Sequence, residues 1–460
     1  MHLPDDTIAA ISTPVGQGGI GIVRLSGPLA IGIADKVFRP GGKKGLAKAK
    51  TFSIMHGHVV DPASGGEIDE VLVTVMRSPR SYTKEDVVEI NCHGGMVAVR
   101  GLLELLLSEG ARLAEPGEFT KRAFLNGRIS LTQAEAVMDL ISARTRESMK
   151  LAVDQLKGGL SEKLAGLRES LIEVCAHAEA YIDFPEEEIE TKTCAELIAR
   201  TGEIKAELEG LSRTFEEARF FREGLSVAIV GRPNVGKSSL LNALLKKDRA
   251  IVTEIPGTTR DTIEEYLNIQ GLPVRIVDTA GIRHFAEAVE REGIRRSLDT
   301  LESADYAIAV LDGSEPLHAD DLEILEKIKS RAAVIAINKS DLPLQISTDE
   351  VFLQGRPHIR LSALRGEGIE ELKSMIFRAN LREWEEEREG VVVTNIRHKQ
   401  ALDLAAAALE RAAKILAENR PLEIFSIELR DAADSIGEIT GAVTTDDILK
   451  RIFDDFCIGK

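Results

Sequence analysis

The chain has 460 residues, enough for about three domains at roughly 150 residues each. Its 58 basic and 75 acidic side chains leave a formal charge of −17, so a basic nucleic-acid-binding surface cannot dominate the molecule, although a local patch is allowed. With 43% hydrophobic and 29% charged residues, the composition is that of a globular protein rather than a disordered one.

Residues 1–127 alternate short β-rich runs, such as Gly19 to Leu25 and Val71 to Val75, with glycine-bearing turns. The helical pattern in this block runs from Met96 to Ser108, and the whole reads as an α+β domain. Residues 128–223 are helical. Ser130 followed by Gln133 reads as a capping box, and Leu156, Leu160, Leu164, Leu167, Leu171 and Val174 form the stripe of one long amphipathic helix. A break is expected near Phe184-Pro185. Over residues 224–380 the pattern changes to apolar strands alternating with helices, which predicts a doubly wound, mostly parallel sheet. The strands are Ser226 to Val230, Val274 to Val277, Tyr306 to Leu311, Ala333 to Ile337 and His358 to Leu361. Residues 381–460 are helical again, over His398 to Asn419, and end in Phe456-Cys457-Ile458-Gly459-Lys460. The α/β block is therefore expected to be inserted into a helical domain whose halves flank it. Cys92, Cys175, Cys194 and Cys457 form no CxxC pair, the N-terminus carries no signal peptide, and no run of 18 apolar residues occurs. A cytoplasmic protein without a membrane span is expected.

The strand ending at Val230 runs into Gly231-Arg232-Pro233-Asn234-Val235-Gly236-Lys237-Ser238-Ser239 and then an apolar helix. This is G-x-x-x-x-G-K-S in its strand–loop–helix setting, where backbone N–H groups and a helix N-terminus cradle phosphates. Lys237 is placed to reach the β- and γ-phosphates and Ser238 to ligate Mg²⁺. Gly257-Thr258-Thr259-Arg260-Asp261 supplies Thr259 for the same ion. Asp278-Thr279-Ala280-Gly281 ends a strand, so that Asp278 holds Mg²⁺ through water and the Gly281 amide senses the γ-phosphate. In Asn338-Lys339-Ser340-Asp341 the last carboxylate can accept the N1–H and exocyclic N–H groups of guanine, a donor pair adenine lacks. Ser362-Ala363-Leu364 fits a backbone contact to the guanine carbonyl. Five elements in one order predict a GTPase domain binding GTP and GDP.

Ile282 follows Gly281, where many GTPases carry the glutamine that orients the attacking water. Glu290 could replace it; on composition alone the solvated face of a helix is the better reading of that residue. A monovalent cation beside Asn234 could supply the positive charge that an arginine finger brings elsewhere.

The order of parts resembles the MnmE (TrmE) family of tRNA-modification GTPases over essentially the whole chain. The resemblance is carried by Gly18 to Arg24, Pro116-Gly117-Glu118-Phe119, Arg122-Ala123-Phe124-Leu125-Asn126-Gly127, Gln133-Ala134-Glu135-Ala136, Ile182-Asp183-Phe184-Pro185 and the C-terminal pentapeptide. It implies a K⁺-stimulated GTPase that dimerises through its N-terminal domains. Mg²⁺ would lie on Ser238 and Thr259, and K⁺ on Asn234, Thr253, Ile255 and Thr258. The nucleotide would also be lined by Glu254, Pro256, Gly257, Thr279 and Ala280. Glu290 becomes the water-positioning residue, with Lys237 and Asp278 the other catalytic candidates. A tetrahydrofolate derivative (5,10-methylene or 5-formyl) would be held by Arg24, Glu89, Arg128 and Lys460, with the family having lysine at the position of Arg128 in some members. Read one by one, surface charge accounts for these four equally well. The resemblance further implies an FAD-containing partner, MnmG, a heterotetramer with it, and tRNA engaged mainly through that complex, where a carboxymethylaminomethyl group is added to the wobble uridine. Cys457, a lone thiol beside Lys460, is open between a packing role and a chemical one. His93 lacks metal-ligand spacing and is read as structural. A competing reading, a ribosome-assembly GTPase that binds RNA, calls for a basic flanking domain that this sequence does not have.

Overall fold

The computed structural model describes residues 6–14, 16–183, 194–248, 265–277, 301–302, 304–346, 355–381, 390–418, 420–454 and 456–459. Its first part contains β1 (Ile8–Ile11), β2 (Ile20–Ser26), α1 (Ala30–Val37), β3 (Phe38–Pro40), β4 (Ser53–Val60), β5 (Glu67–Met76), β6 (Val87–His93), α2 (Met96–Ser108), β7 (Arg112–Leu113) and α3 (Glu118–Leu125). The strands form one sheet in the order β3-β4-β5-β6-β2-β1-β7, antiparallel except where β7 joins β1. Alternation sets its two faces. Val23, Leu25, Val71, Val73, Val88 and Ile90 pack under α1 and α2. On the other face Ile8 and Ala10 are covered by Phe119 of α3 and by Tyr82. Arg24 and Glu89 belong to that second face, directly opposite one another on β2 and β6.

The helical part begins with α4 (Leu131–Ser142), α5 (Arg146–Leu156), α6 (Gly159–Asp183), α7 (Cys194–Arg213) and α8 (Phe215–Glu223). Ser130 and Gln133 make the reciprocal capping box of α4. The apolar stripe from Leu156 to Val174 is not one helix. Gly158, at φ +96°, separates α5 from α6, a left-handed conformation that ends an α-helix and that glycine adopts without a Cβ clash. The stripe residues from Leu160 to Val174 belong to the helical-bundle core, whereas Leu156, at the end of α5, is half-buried and outside it. The expected break at Phe184-Pro185 lies outside the described residues.

An α/β block follows: β8 (Leu225–Val230), α9 (Lys237–Asp248), β9 (Glu265–Ile269), β10 (Leu272–Ile276), β11 (Tyr306–Asp312), α10 (Ala319–Lys327), β12 (Ala333–Asn338), β13 (His358–Arg360) and α11 (Ile369–Asn380). The sheet order is β13-β12-β11-β8-β10-β9, parallel except for the β9–β10 pair. All six residues of β8 and all seven of β11 are buried, as expected for strands covered on both faces. The chain closes with α12 (Ile396–Ala417), α13 (Leu422–Thr440) and α14 (Asp446–Asp454). Leu164, Leu171, Leu197 and Leu208 share one core with Leu402, Leu409, Phe425 and Leu429, so helices from both sides of the α/β block form a single bundle. Among the described residues no helix is long and apolar enough to cross a membrane.

Candidate functional site

The phosphate loop leaves the C-terminal end of β8, between β10 and β11, and enters α9 at Lys237. Asn234 turns it at φ +63° and Gly236 at φ +102°. A Cβ on Gly236 would lie 2.2 Å from Asn338 Nδ2, so both the backbone and the space require glycine there. Val235 is buried in the sheet core, while Ser238 and Ser239 lie in the first turn of α9, where helix N–H groups have no partners within the helix. Lys237 Nζ donates to the carbonyls of Gly231 (2.7 Å) and Arg232 (2.8 Å). Burial pushes its ammonium down to about 8, because a low-dielectric setting disfavours the charged form.

The second half of the cradle comes from the ends of β12 and β13. Asn338 Nδ2 donates to the Val235 carbonyl (2.8 Å), and its Oδ1 accepts from the Ala363 amide (3.0 Å). One buried side chain thus ties the phosphate loop to both loops expected at the base. Ser340 N donates to Leu361 O (3.1 Å), and the Ser362 hydroxyl donates to Asp341 Oδ1 (2.6 Å). That hydrogen bond holds the Asp341 carboxyl below its usual range, which keeps it an acceptor for N–H donors. Leu364 is exposed beside it. Lys339, at φ +64°, is fixed by an ion pair to Asp312 (2.5 Å). Of the expected nucleotide residues, Asn234, Val235, Gly236, Lys237, Ser238, Ser239, Asn338, Lys339, Ser340, Asp341, Ser362, Ala363 and Leu364 gather around one end of the sheet. Thr253 to Thr259, Asp278 to Gly281 and Glu290 lie outside the described residues.

A second cluster lies on the N-terminal sheet. Arg24 pairs with Glu89 through Nε and Nη2, both 2.8 Å from Oε1. Its guanidinium lies 5.6 Å from the Phe119 ring and 5.7 Å from the Tyr82 ring, while Arg128 stands 4.8 Å from Tyr82 and donates to its carbonyl. Tyr82 is fixed in turn by a 2.9 Å hydrogen bond between its hydroxyl and that of Thr120. The C-terminal segment crosses this cluster. Ile458 bridges Pro116, and the Gly459 carbonyl accepts from Ser12 Oγ (3.2 Å) and Arg24 Nη1 (3.5 Å). Cys457 is half-buried there, and Lys460 lies outside the described residues. Arg24, Glu89 and Arg128 therefore converge with the chain terminus although up to 435 residues separate them. His93 is exposed and pairs with Asp69 (2.6 Å); no three metal-ligating side chains gather among the described residues.

Sequence reasoning missed Tyr82, whose polar loop carries no motif, and the carboxylates Asp312, Glu315 and Asp321 between β11 and α10. It also missed the partners of Glu135. Buried on α4, Glu135 accepts from Asn395 Nδ2 (3.0 Å), Arg397 Nε and Nη2 (3.0 and 2.8 Å) and His398 Nε2 (2.6 Å). Burial alone would raise its carboxyl; His398 and Arg397 outweigh that and hold it at about 2. Its signals in the sequence were the motif Gln133-Ala134-Glu135-Ala136 and a glutamate between two alanines, neither of which names its partners.

A family model described as the GTP-binding protein TrmE N-terminus matches residues 7–128, and one described as the MnmE helical domain matches residues 131–457. The chain is 48% identical over 458 residues to the tRNA modification GTPase MnmE of Acetivibrio thermocellus, covering 99% of each. It is 48% identical over 459 residues to that of Carboxydothermus hydrogenoformans, covering 99% of this chain and 100% of the relative. For the Bacillus velezensis protein the figure is 47% over 458 residues, with 99% and 100% covered. Among solved structures, the G domain of the T. maritima FeoB iron transporter is 28% identical over 34% of this chain and 98% of that chain, with a TM-score of 0.25, and adds nothing to the assignment.

Proposed function

The chain belongs to the MnmE family of tRNA modification GTPases, and from that premise we propose that it hydrolyses GTP, with K⁺ stimulation, to drive modification of the wobble uridine of certain tRNAs. Asp341 and the Ser362-Ala363-Leu364 loop select guanine, because a fixed carboxylate accepts the paired N–H donors of that base. Lys237 meets the β- and γ-phosphates, exchanging two loop carbonyls for phosphate oxygens. The donor set suits the two cations the chemistry needs: Ser238 and Thr259 for Mg²⁺, with Asp278 behind them, and Asn234 with Thr253, Ile255 and Thr258 for K⁺. These ions supply positive charge to the phosphates as the transferred group develops charge. Glu290 orients the attacking water.

On the N-terminal sheet, Arg24, Glu89, Arg128 and Lys460 hold a tetrahydrofolate derivative, which supplies the one-carbon unit. Glu89, oriented by Arg24, accepts from the amide and amine donors of the pterin, and the other basic groups, Arg128 and Lys460, meet the carboxylates of the tail. The thiol of Cys457 stands beside that site. The protein works as a cytoplasmic homodimer, joined by an FAD-containing MnmG partner in a heterotetramer that brings most of the contact to tRNA. What carries this reading is that the nucleotide cradle bridged by Asn338 and the Arg24 cluster contacted by the C-terminal segment occur in one chain.

The test is reconstitution. The purified chain, its FAD-containing partner, GTP, K⁺, methylene-tetrahydrofolate, glycine and unmodified tRNA are combined, and the wobble nucleoside is analysed by mass spectrometry. Carboxymethylaminomethyluridine is expected, replaced by the aminomethyl form when ammonium stands in for glycine and absent without folate. Unmodified uridine with every component active would refute the proposal.

A further inference from the structure

The second residue of the phosphate loop, Arg232, is left unassigned by the motif, which accepts any residue there. In the structure its side chain is only 15% exposed and is directed at the loop joining β11 to α10. Nη2 hydrogen-bonds Glu315 Oε2 (2.5 Å), and Nε faces Asp321 Oδ2 at 3.2 Å. Asp321 is 2% exposed; the same oxygen accepts from the His318 amide and starts α10. The backbone of Arg232 is equally engaged, since its carbonyl receives Lys237 Nζ. The connecting loop reaches the base side as well. Asp312 pairs with Lys339, Gly313 N donates to Asn338 O (2.9 Å), and Gln345 N donates to Gly313 O (2.8 Å). The segment from Asp312 to Asp321 therefore touches the phosphate loop at one end and the base loop at the other.

We propose that Arg232 is a positioning residue for nucleotide binding, bracing the phosphate loop on the β11–α10 loop so that the phosphate and base halves of the cradle are held as one unit. The inference rests on the reading of this cradle as the guanine-nucleotide site. Its physical basis is preorganisation. A loop pinned by a charge-assisted hydrogen bond to Glu315 and a buried ion pair to Asp321 loses little freedom when a ligand arrives, and releasing it adds that cost to binding. GDP and GTP use the same loop, so the cost falls on both alike, and the loss appears in affinity rather than in turnover.

The experiment measures affinity of the full chain for GDP and GTP, GDP release, and GTP turnover for wild type, Arg232→Ala, Arg232→Lys and Glu315→Gln. Arg232→Ala is expected to weaken both nucleotides by the same factor, about tenfold, with faster GDP release and the change carried by KM instead of kcat. Arg232→Lys recovers only part, because an ammonium cannot reach Glu315 and Asp321 together as the guanidinium fork does. Glu315 is half-exposed, so Glu315→Gln keeps the melting temperature and weakens GDP about two- to threefold. Wild-type GDP affinity in folded Arg232→Ala, or a fall in kcat at unchanged affinity, overturns the proposal. Should Arg232→Ala fail to fold, unchanged GDP affinity in Glu315→Gln overturns it. A wild-type chain that binds no guanine nucleotide removes the reading of the site itself, a separate outcome.

Discussion

Replacing Glu135 by glutamine removes one negative charge from a site where Asn395, Arg397 and His398 all donate to it. Two routes give the magnitude. The carboxyl is held at about 2 against an ordinary 4.5, a difference worth about 3 kcal/mol at about 1.4 kcal/mol per pH unit. Breaking a buried ion pair on one side costs roughly 3–5 kcal/mol, because the partner charge is left uncompensated. Both place the loss for Glu135→Gln near 3 kcal/mol at neutral pH. The sign with pH follows from the direction of the shift. A carboxyl held below its unfolded value contributes fully above about pH 4.5, and the contribution is lost as pH falls toward 2. Urea unfolding followed by far-ultraviolet circular dichroism reads mainly the helices that Glu135 joins, so the midpoints of wild type and variant should differ clearly at pH 7, approach one another as pH falls from about 4.5, and converge only below about pH 2. A variant within about 1 kcal/mol of wild type at pH 7, or a gap that does not close on acidification, refutes the reasoning.

Two further outcomes follow from the nucleotide cradle. Gly236→Ala puts a Cβ 2.2 Å from Asn338 Nδ2 and at a φ of +102°, so guanine-nucleotide binding should fall by more than about a hundredfold in calorimetry, while the N-terminal and helical parts keep their circular dichroism. Burial holds Lys237 at about 8, and the proposed phosphate contact needs its ammonium form, so GDP affinity should drop about tenfold between pH 7 and 9. A lysine at its ordinary value would leave affinity flat over that range, and a flat profile would show that burial does not govern this group.

The parts legible in the sequence are those set by local rules. The capping box at Ser130 and Gln133, the bounds of α2 and the turn from β8 into Lys237 each follow from residues within a few positions of one another. What was not legible depends on distant neighbours. The stripe through Leu156 and Leu160 looked continuous because apolar spacing does not register a helix break, whereas Gly158 sets where the helix stops, and Leu156 is outside the core that Leu160 enters. Strand β9 went unseen although Glu265 to Ile269 pairs with β10 around the tight turn at Gln270-Gly271, since its polar and apolar residues give no clear alternation once both faces are buried. Nor could spacing show that Gly459 lies against Arg24, or that the guanidinium groups of Arg24 and Arg128 share Tyr82. The base-side loop was identified by its motif, but the bridge that Asn338 makes to Val235 and Ala363 needed the fold.

The central claim, a cation-dependent GTPase, is tested most directly by the GTP turnover rate of the purified chain in matched K⁺ and Na⁺ buffers, with Glu290→Ala alongside. The account predicts strong stimulation by K⁺ that the variant loses. Equal slow rates in both salts, or full K⁺ stimulation in Glu290→Ala, would contradict it.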